Sequence, residues 1–416
     1  MLKFLSNRVI TVSNFYEDSV PCLAPWSRDL RNCSYTTGDD VIFLSSIVTL
    51  KKSNLDIFSE VLRSLIHMLK NDYNNLDDKN IKTGLNEEYK KWFVGFFDAE
   101  GCFRLNARSN NRFEFNISIK LHVDDSRVLE GIINKFQLNI SPHYQSSEDT
   151  CSISIGDKDV LLNKIIPLFD KYPLLTKKRY DYILWRKAYM LYLNTDVEDR
   201  CKVSSTLDDI KSKLNKYEDD LSLYPSVSEI RSELNIYWII GFIEGEGSFT
   251  LKTQKNGIHF YLSQHKACMP VMECILDFFY SLKPNNNCPI QNNINPISKR
   301  LYLDGNKVRI ILTQVDYLYW VFIPEFMLKY DMQSRKKIDF LLWFIALVLK
   351  KHGLLKTNDG QEFFKKLQSS INKNRYFNNK IIPELDEILK IITTKPIYDL
   401  SKTHEYNYKH HRNKNY

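Results

Sequence analysis

Apolar positions recur along this chain in two long matching trains. Trp92 to Phe103 reads WFVGFFDAEGCF and Trp238 to Phe249 reads WIIGFIEGEGSF. At a constant offset of 146 residues, Trp92, Gly95, Phe96, Glu100, Gly101 and Phe103 fall on Trp238, Gly241, Phe242, Glu246, Gly247 and Phe249. Asp98 falls on Glu244 and Ala99 on Gly245, so acidity and small size persist where identity does not. The spacing predicts a helix in each copy, the first over Glu87 to Ala99, with Asn86 and Ser232 as N-caps. Alternating apolar and polar positions then predict a hairpin in each copy. One is CFRLNARSNNRFEFNISIKL, turning at Ser109 to Asn111; the other is SFTLKTQKNGIHFYLSQ, turning at Asn256-Gly257. Helices are expected over Ser126 to Phe136 and Val271 to Tyr280, and strands over Cys151 to Ile155 and Lys307 to Thr313. Each copy closes on a basic entry to an apolar helix. TKKRYDYILW (Thr176 to Trp185) lies over SRKKIDFLLW (Ser334 to Trp343), placing Lys178 on Lys336, Arg179 on Lys337 and Asp181 on Asp339. Each copy thus reads as helix, hairpin, helix, hairpin, helix.

This divides the chain into an N-terminal extension (1–85), a first half-domain (86–195), a polar linker (196–231), a second half-domain (232–352) and a C-terminal segment (353–416). The extension has some helical pattern around Leu55 to Leu69. The C-terminal segment reads as helical at first and ends in a basic, aromatic tail, where His410 and His411 are expected to be disordered rather than metal ligands. Composition adds limits. With 43% hydrophobic and 26% charged residues the chain is expected to fold, and 13 Gly and 13 Pro in 416 residues exclude collagen-like and Gly-loop architectures. A formal charge of +8 favours an anionic partner, and 24 Tyr and 24 Phe supply core area and stacking surfaces. The longest apolar stretch, Phe340 to Leu349, falls short of the roughly 20 residues a membrane-spanning helix needs, so no membrane span is expected. Eight scattered cysteines without CxxC spacing argue against a zinc ribbon and for a reducing compartment. Lys3, Arg8 and the absence of an acid before Glu17 mimic an organelle presequence, but arginine is too sparse there for a good one.

Small residues four apart, Gly95 with Ala99 and Gly241 with Gly245, let two helix backbones approach closely. Each helix ends in an acid followed by glycine, so packing the two together would set Glu100 beside Glu246. Two such carboxylates repel unless cations lie between them, and a pair of Mg²⁺ ions resolves this. For a single motif, a buried amphipathic helix with a glycine cap is the better reading. Two copies at a fixed offset, with matching flanks, reverse that. Asp98 and Glu244 read as structural acids, and Trp92, Trp238, Trp185 and Trp343 as core.

WFVGFFDAEG and WIIGFIEGEG resemble the two helices of a LAGLIDADG homing endonuclease in its single-chain, two-motif form, over roughly Leu85 to Lys351. The resemblance implies an α+β fold: two pseudo-symmetric αββαββα half-domains forming a DNA-binding saddle, with the motif helices at their interface. It implies metal-dependent phosphodiester hydrolysis as a monomer on an asymmetric double-stranded DNA site. Glu100 and Glu246, with the carbonyls of Ala99 and Gly245, would hold Mg²⁺ (or Mn²⁺). Lys178 and Lys336 would support phosphate charge, with Lys177 and Lys337 as near rivals. Base and backbone contacts fall on Arg104, Asn106, Arg108, Arg112, Glu114 and Asn116 of the first ribbon. On the second they fall on Thr250, Lys252, Gln254, Lys255 and His259. The Asn-, Ile-, Lys- and Tyr-rich composition suits a reading frame within a group I intron of a fungal mitochondrial genome. The rival reading on the same fold is an RNA maturase that binds its own group I intron RNA and assists splicing, an activity that can coexist with DNA cleavage.

Overall fold

The computed structural model describes residues 85–216, 224–372 and 383–414, apart from 287, 296, 299 and 413, together with 65, 67 and 68. Most of the expected helix at Leu55 to Leu69 lies outside these residues. In the first half, α1 (Glu87–Glu100) leads into β1 (Gly101–Arg108), β2 (Arg112–His122), α2 (Ser126–Phe136), β3 (His143–Gln145) and β4 (Thr150–Ile155). Next comes α3, built from Lys158–Val160, a π-helical turn Leu161–Ile165 and Ile166–Lys171, and then α4 (Lys178–Leu193). The second half repeats this order. It comprises α7 (Ile236–Glu246), β5 (Gly247–Lys252), β6 (Gly257–His265), α8 (Met269–Ser281), β7 (Tyr302–Asp304) and β8 (Lys307–Leu312). It continues with α9, formed by Val315–Tyr317 and a π-helical stretch Leu318–Met327, and α10 (Lys336–Lys351). Each half is therefore αββαββα with the basic helix as an eighth element. The sequence pattern did not single out α3 and α9; the π-helical stretch of α9 is apolar apart from Glu325 and shows no 3.6-residue stripe.

The sheets are antiparallel and ordered β1-β2-β4-β3 and β5-β6-β8-β7. The first hairpin turns at Ser109–Asn111, as expected, with Asn110 and Asn111 at positive φ. The second does not turn on Asn256-Gly257. A short 3₁₀ turn at Gln254–Asn256 closes it, with Lys255 (φ 55°) and Asn256 (φ 46°) left-handed and Gly257 (φ −69°) already in β6. Ser232 is likewise not the N-cap of the second motif helix; it lies within α6 (Val227–Glu233), and Asn235 accepts the Trp238 backbone N–H instead.

The inner faces carry the cores. Phe103 packs against Phe169, Tyr182 and Trp185 in the first half, and Phe249 against Phe260, Phe340 and Trp343 in the second. The stretch read as a polar linker contains α5 (Arg200–Lys213) and α6, with Leu207, Ile210 and Leu214 buried. The C-terminal segment supplies α11 (Asn358–Ser370), α12 (Leu385–Ile392) and α13 (His404–His410). α11 and α12 both pack on α10, which is why Phe340 to Leu349 is buried on all sides. His410 closes α13, and the His411 carbonyl accepts from Lys356 Nζ at 2.9 Å, so these two histidines are held in place where disorder was expected. Among the described residues no helix is long and apolar enough to cross a membrane.

Candidate active site

The site is assembled by the close crossing of α1 and α7. A Cβ added to Gly95 would overlap the Trp238 carbonyl oxygen, and one on Gly241 would overlap the Trp92 carbonyl oxygen. Two reciprocal bonds then lock the pair. Trp92 Nε1 donates to Glu244 Oε1 at 2.7 Å, and Trp238 Nε1 donates to Asp98 Oδ2 at 3.2 Å. Both acids are fully inside, so each must be satisfied by protein donors. Asp98 also accepts from the backbone N–H of Leu175 (2.6 Å) and from Thr176 Oγ1 (2.5 Å). Glu244 accepts from the backbone N–H groups of Gln333 (2.9 Å) and Ser334 (2.5 Å). Burial pushes the Asp98 carboxyl up to about 6 and raises Glu244 as well, against the pull of these donors. These two acids therefore fix the loops that lead into α4 and α10.

The first residues of those helices return to the motif. Lys178 Nζ donates to the carbonyl oxygens of Asp98 and Ala99, both at 2.7 Å. Lys336 Nζ donates to those of Gly245 (3.1 Å) and Gly247 (2.6 Å). Each ammonium thus sits at the negative end of a motif helix, offsetting the acid that ends it. Their rivals are engaged elsewhere: Lys177 Nζ pairs with Asp181 at 2.7 Å and Lys337 with Asp331 at 3.1 Å. Burial raises the carboxyls of Glu100 and Glu246, and Glu100 raises Glu246 further, while Lys178 and Lys336 pull both down. Lys178 itself is lowered by burial, against the attraction of Asp98, Glu246 and Glu100. Ala99 and Glu100 border Gly245 across the crossing, so the helix ends do meet. The four oxygen donors, two carboxylates and the carbonyls of Ala99 and Gly245, form a hard set suited to Mg²⁺. A carbonyl has two lone pairs, so the lysine contacts leave room for a second partner.

The halves are not identical. Strand register places Leu121 and Gln264 at the same position, since Gly101 faces Ile119 and Gly247 faces Leu262. Gln264 Nε2 donates to Glu246 Oε1 at 3.1 Å, whereas Leu121 has nothing to offer Glu100. Beside Glu100 lies a cavity of about 410 Å³, lined among others by Lys120, His122, Asp125 and Lys336. Sequence reasoning missed Gln264, His122 and Asp125. The signal lay in the register that ends β2 and β6, which becomes readable once the hairpin turns are fixed.

On the first ribbon Arg104, Asn106, Arg108, Arg112 and Glu114 are exposed, as alternation predicts. Glu114 accepts from Arg108 Nε at 2.9 Å, so those two neutralise each other across the strand pair. Asn116 departs from the pattern: it shares their face but is only 5% exposed, at the point where β4 begins to pair with β2 (Ile117 with Ile155). On the second ribbon Lys252 is exposed on β5, while Gln254 and Lys255 are exposed on the 3₁₀ turn rather than on a strand. Thr250 and His259 are half-buried. The Thr250 hydroxyl meets Ser248 at 3.2 Å, and His259 Nδ1 meets the Tyr261 hydroxyl at 2.7 Å.

Comparison with known proteins places this geometry. A family model described as "LAGLIDADG endonuclease" matches the chain twice, at residues 93–189 and 239–347. The "Uncharacterized mitochondrial protein RF1" of Saccharomyces cerevisiae is 30% identical over 347 residues, spanning 80% of this chain and 70% of that protein. The "Probable intron-encoded endonuclease Cox1-I1b" of Schizosaccharomyces pombe is 31% identical over 199 residues, 46% of this chain and half of that protein. Among solved structures, the I-LtrWI LAGLIDADG homing endonuclease bound to target DNA superposes with a TM-score of 0.56 at 22% identity, covering 69% of this chain and 99% of that one. I-SmaMI bound to an uncleaved DNA target in the presence of calcium ions gives 0.56 at 24%, covering 70% and 99%. At these identities the structures speak for the fold.

Proposed function

Because the chain belongs to the LAGLIDADG endonuclease family, we propose that it is a site-specific DNA endonuclease that makes one cut in each strand of a long asymmetric site. The observation that carries this reading is the paired acid–lysine arrangement, complete in both halves: Glu100 with Lys178, and Glu246 with Lys336. Glu100 and Glu246, with the carbonyls of Ala99 and Gly245, would hold Mg²⁺ or Mn²⁺. Such an ion, when bound, lowers the pKa of an attacking water and stabilises charge on the scissile phosphate. The chain's own groups do the rest. The two carboxylates, raised by burial in the free protein, must be ionised to serve. Lys178 and Lys336 lie against the helix ends, where each ammonium stabilises negative charge building on the phosphate. Gln264 orients Glu246, and the crossed tryptophan–carboxylate bonds keep the helix ends from spreading.

The exposed polar residues of the two ribbons would lie along the duplex. Arg104, Asn106, Arg112 and Lys252 supply donors for base edges and phosphates, and the +8 charge supports a steep salt dependence. Since the halves differ in sequence, the site need not be a palindrome, and one chain suffices. The kinship with fungal mitochondrial and intron-encoded proteins supports an origin in a mitochondrial group I intron.

The test is cleavage of a DNA library spanning the intron-less host genome in Mg²⁺ and Mn²⁺, with wild type beside Glu100→Gln and Glu246→Gln. Wild type is expected to leave unique staggered ends. Each variant should lose both cuts or leave nicks, with the affected strand slowed by about a hundredfold or more. No cutting in either metal, with tight binding of the intron RNA indifferent to both substitutions, would replace this reading with that of a maturase.

A further inference from the structure

The two half-domains share a feature that lies outside both stretches matched by the family model. Just beyond α5, Asn215 adopts a left-handed backbone (φ 59°); just beyond α11, Asn372 does the same (φ 56°). Their bonds are copies of one another. The backbone N–H of Asn215 donates to Asp181 Oδ1 at 2.9 Å, and its Nδ2 donates to the Phe103 carbonyl at 2.8 Å. The backbone N–H of Asn372 donates to Asp339 Oδ1 at 3.0 Å, and its Nδ2 donates to the Phe249 carbonyl at 2.5 Å. Sequence supports the equivalence: Leu214-Asn215-Lys216 matches Ile371-Asn372-Lys373, and Pro225, Glu229 and Ile230 match Pro383, Glu387 and Ile388. The duplicated unit therefore runs on through α6 and α12, and the stretch between the motif repeats belongs to the first copy.

The partners of each asparagine give the contact its meaning. Asp181 and Asp339 are buried and lie three residues, one helical turn, after Lys178 and Lys336. Phe103 and Phe249 lie three residues after Glu100 and Glu246. Each asparagine thus fastens the helix that bears one half's lysine to the strand that continues from the same half's carboxylate. We propose that Asn215 and Asn372 are positioning residues, one per half, each holding lysine and carboxylate in register for the cut made by its own half. This rests on the nuclease reading above. Catalytic groups displaced by about 1 Å lose roughly a hundredfold in rate. A clasp that touches no substrate should therefore act on the rate of one strand and leave affinity alone.

Glycine variants isolate the side chain, because glycine accepts a left-handed φ and keeps the N–H bond to the aspartate. The experiment measures single-turnover cleavage of each strand of the target, with DNA affinity measured in Ca²⁺ and folding followed by thermal melting. Asn215→Gly is expected to slow the cut dependent on Glu100 about tenfold more than the other, and Asn372→Gly to do the reverse, with affinity unchanged. Asp181→Asn and Asp339→Asn should reproduce the same strand bias from the other end of each clasp. Hydrogen exchange reads the clasp without DNA. The Asn215 amide should be protected in wild type and exposed by Asp181→Ala, with the Asn372 amide unaffected. Unprotected amides in wild type, or equal slowing of both strands, or no slowing in folded variants, would overturn the proposal. A wild-type chain that cuts no target refutes the nuclease reading and the positioning role with it. Protected amides with equal strand rates refute the positioning role alone.

Discussion

Single residues at the helix crossing do two things at once. Trp238 fills core and also hands its indole N–H to Asp98, a carboxylate with no water to turn to. Trp238→Phe keeps most of the apolar area but leaves Asp98 one donor short. It should cost about 1–3 kcal/mol in urea unfolding, with the m-value unchanged. A loss below about 0.5 kcal/mol would mean that the indole bond contributes nothing. At this scale the sequence was legible where chemistry repeats along the chain. Glu100 and Glu246 stand at the same place in two copies, whereas Lys178 and Lys336 came from the family resemblance, with Lys177 and Lys337 left as rivals. Gln264 was not found, because its partner at that register position is Leu121 and the difference between them has meaning only beside the helix ends.

Elements explain why some small residues are fixed and others are not. At Gly95 and Gly241 the obstacle to a Cβ is backbone of the opposite helix, which has no side chain to swing aside. Gly95→Ala or Gly241→Ala must therefore push α1 and α7 apart, at about 3 kcal/mol or more, and should abolish cleavage along with stability. Gly131, inside α2, is the control: nothing lies within 4 Å of its added Cβ, so Gly131→Ala should raise stability by about 0.5–1 kcal/mol. Melting of the three variants side by side checks both signs. The same scale shows why α5 was read as linker. Its buried Leu207 and Ile210, with Leu214 just beyond its end, form a narrow stripe in an otherwise largely polar helix. What the helix packs on is α4 and the edge strand β1.

Over the whole molecule, the C-terminal segment closes onto the second half through buried ionisable groups. Asp316 accepts from Lys351 Nζ at 2.6 Å and from the His404 backbone N–H at 2.8 Å, while the His352 ring meets the Tyr319 hydroxyl at 3.1 Å. Burial beside Lys351 holds His352 down at about 3, and burial with Lys350 nearby holds His404 at about 4. Both imidazoles are neutral when folded and gain a proton below about 6.5 when unfolded. Their stability is therefore fully present above pH 6.5 and is lost as pH falls toward the folded values. Integrated over the unfolded titration, two such groups give a loss of about 3 kcal/mol between pH 6.5 and 5. Urea unfolding at pH 7, 6 and 5 measures the slope, and His352→Gln should make the loss toward pH 5 smaller by about 1.4 kcal/mol per pH unit at most. An unchanged slope in that variant would show that the histidine is charged in the folded state.

The sequence by itself determined the duplication, the motif helices, the hairpins, the paired acids Glu100 and Glu246 and the basic run that opens each late helix. These follow from local periodicity and from a repeat that needs no structure to be seen. Tertiary structure decided which lysine of each basic run reaches the site, because a helix turn of about 100° per residue separates Lys177 from Lys178 and only the crossing says which faces in. It decided the fate of Asn116, whose exposure depends on the neighbouring strand and not on its own alternation. It also showed that the repeat extends through α6 and α12. The residues that reveal this, Asn215 and Asn372, stand in short, scattered sequence matches but make the same two bonds in space.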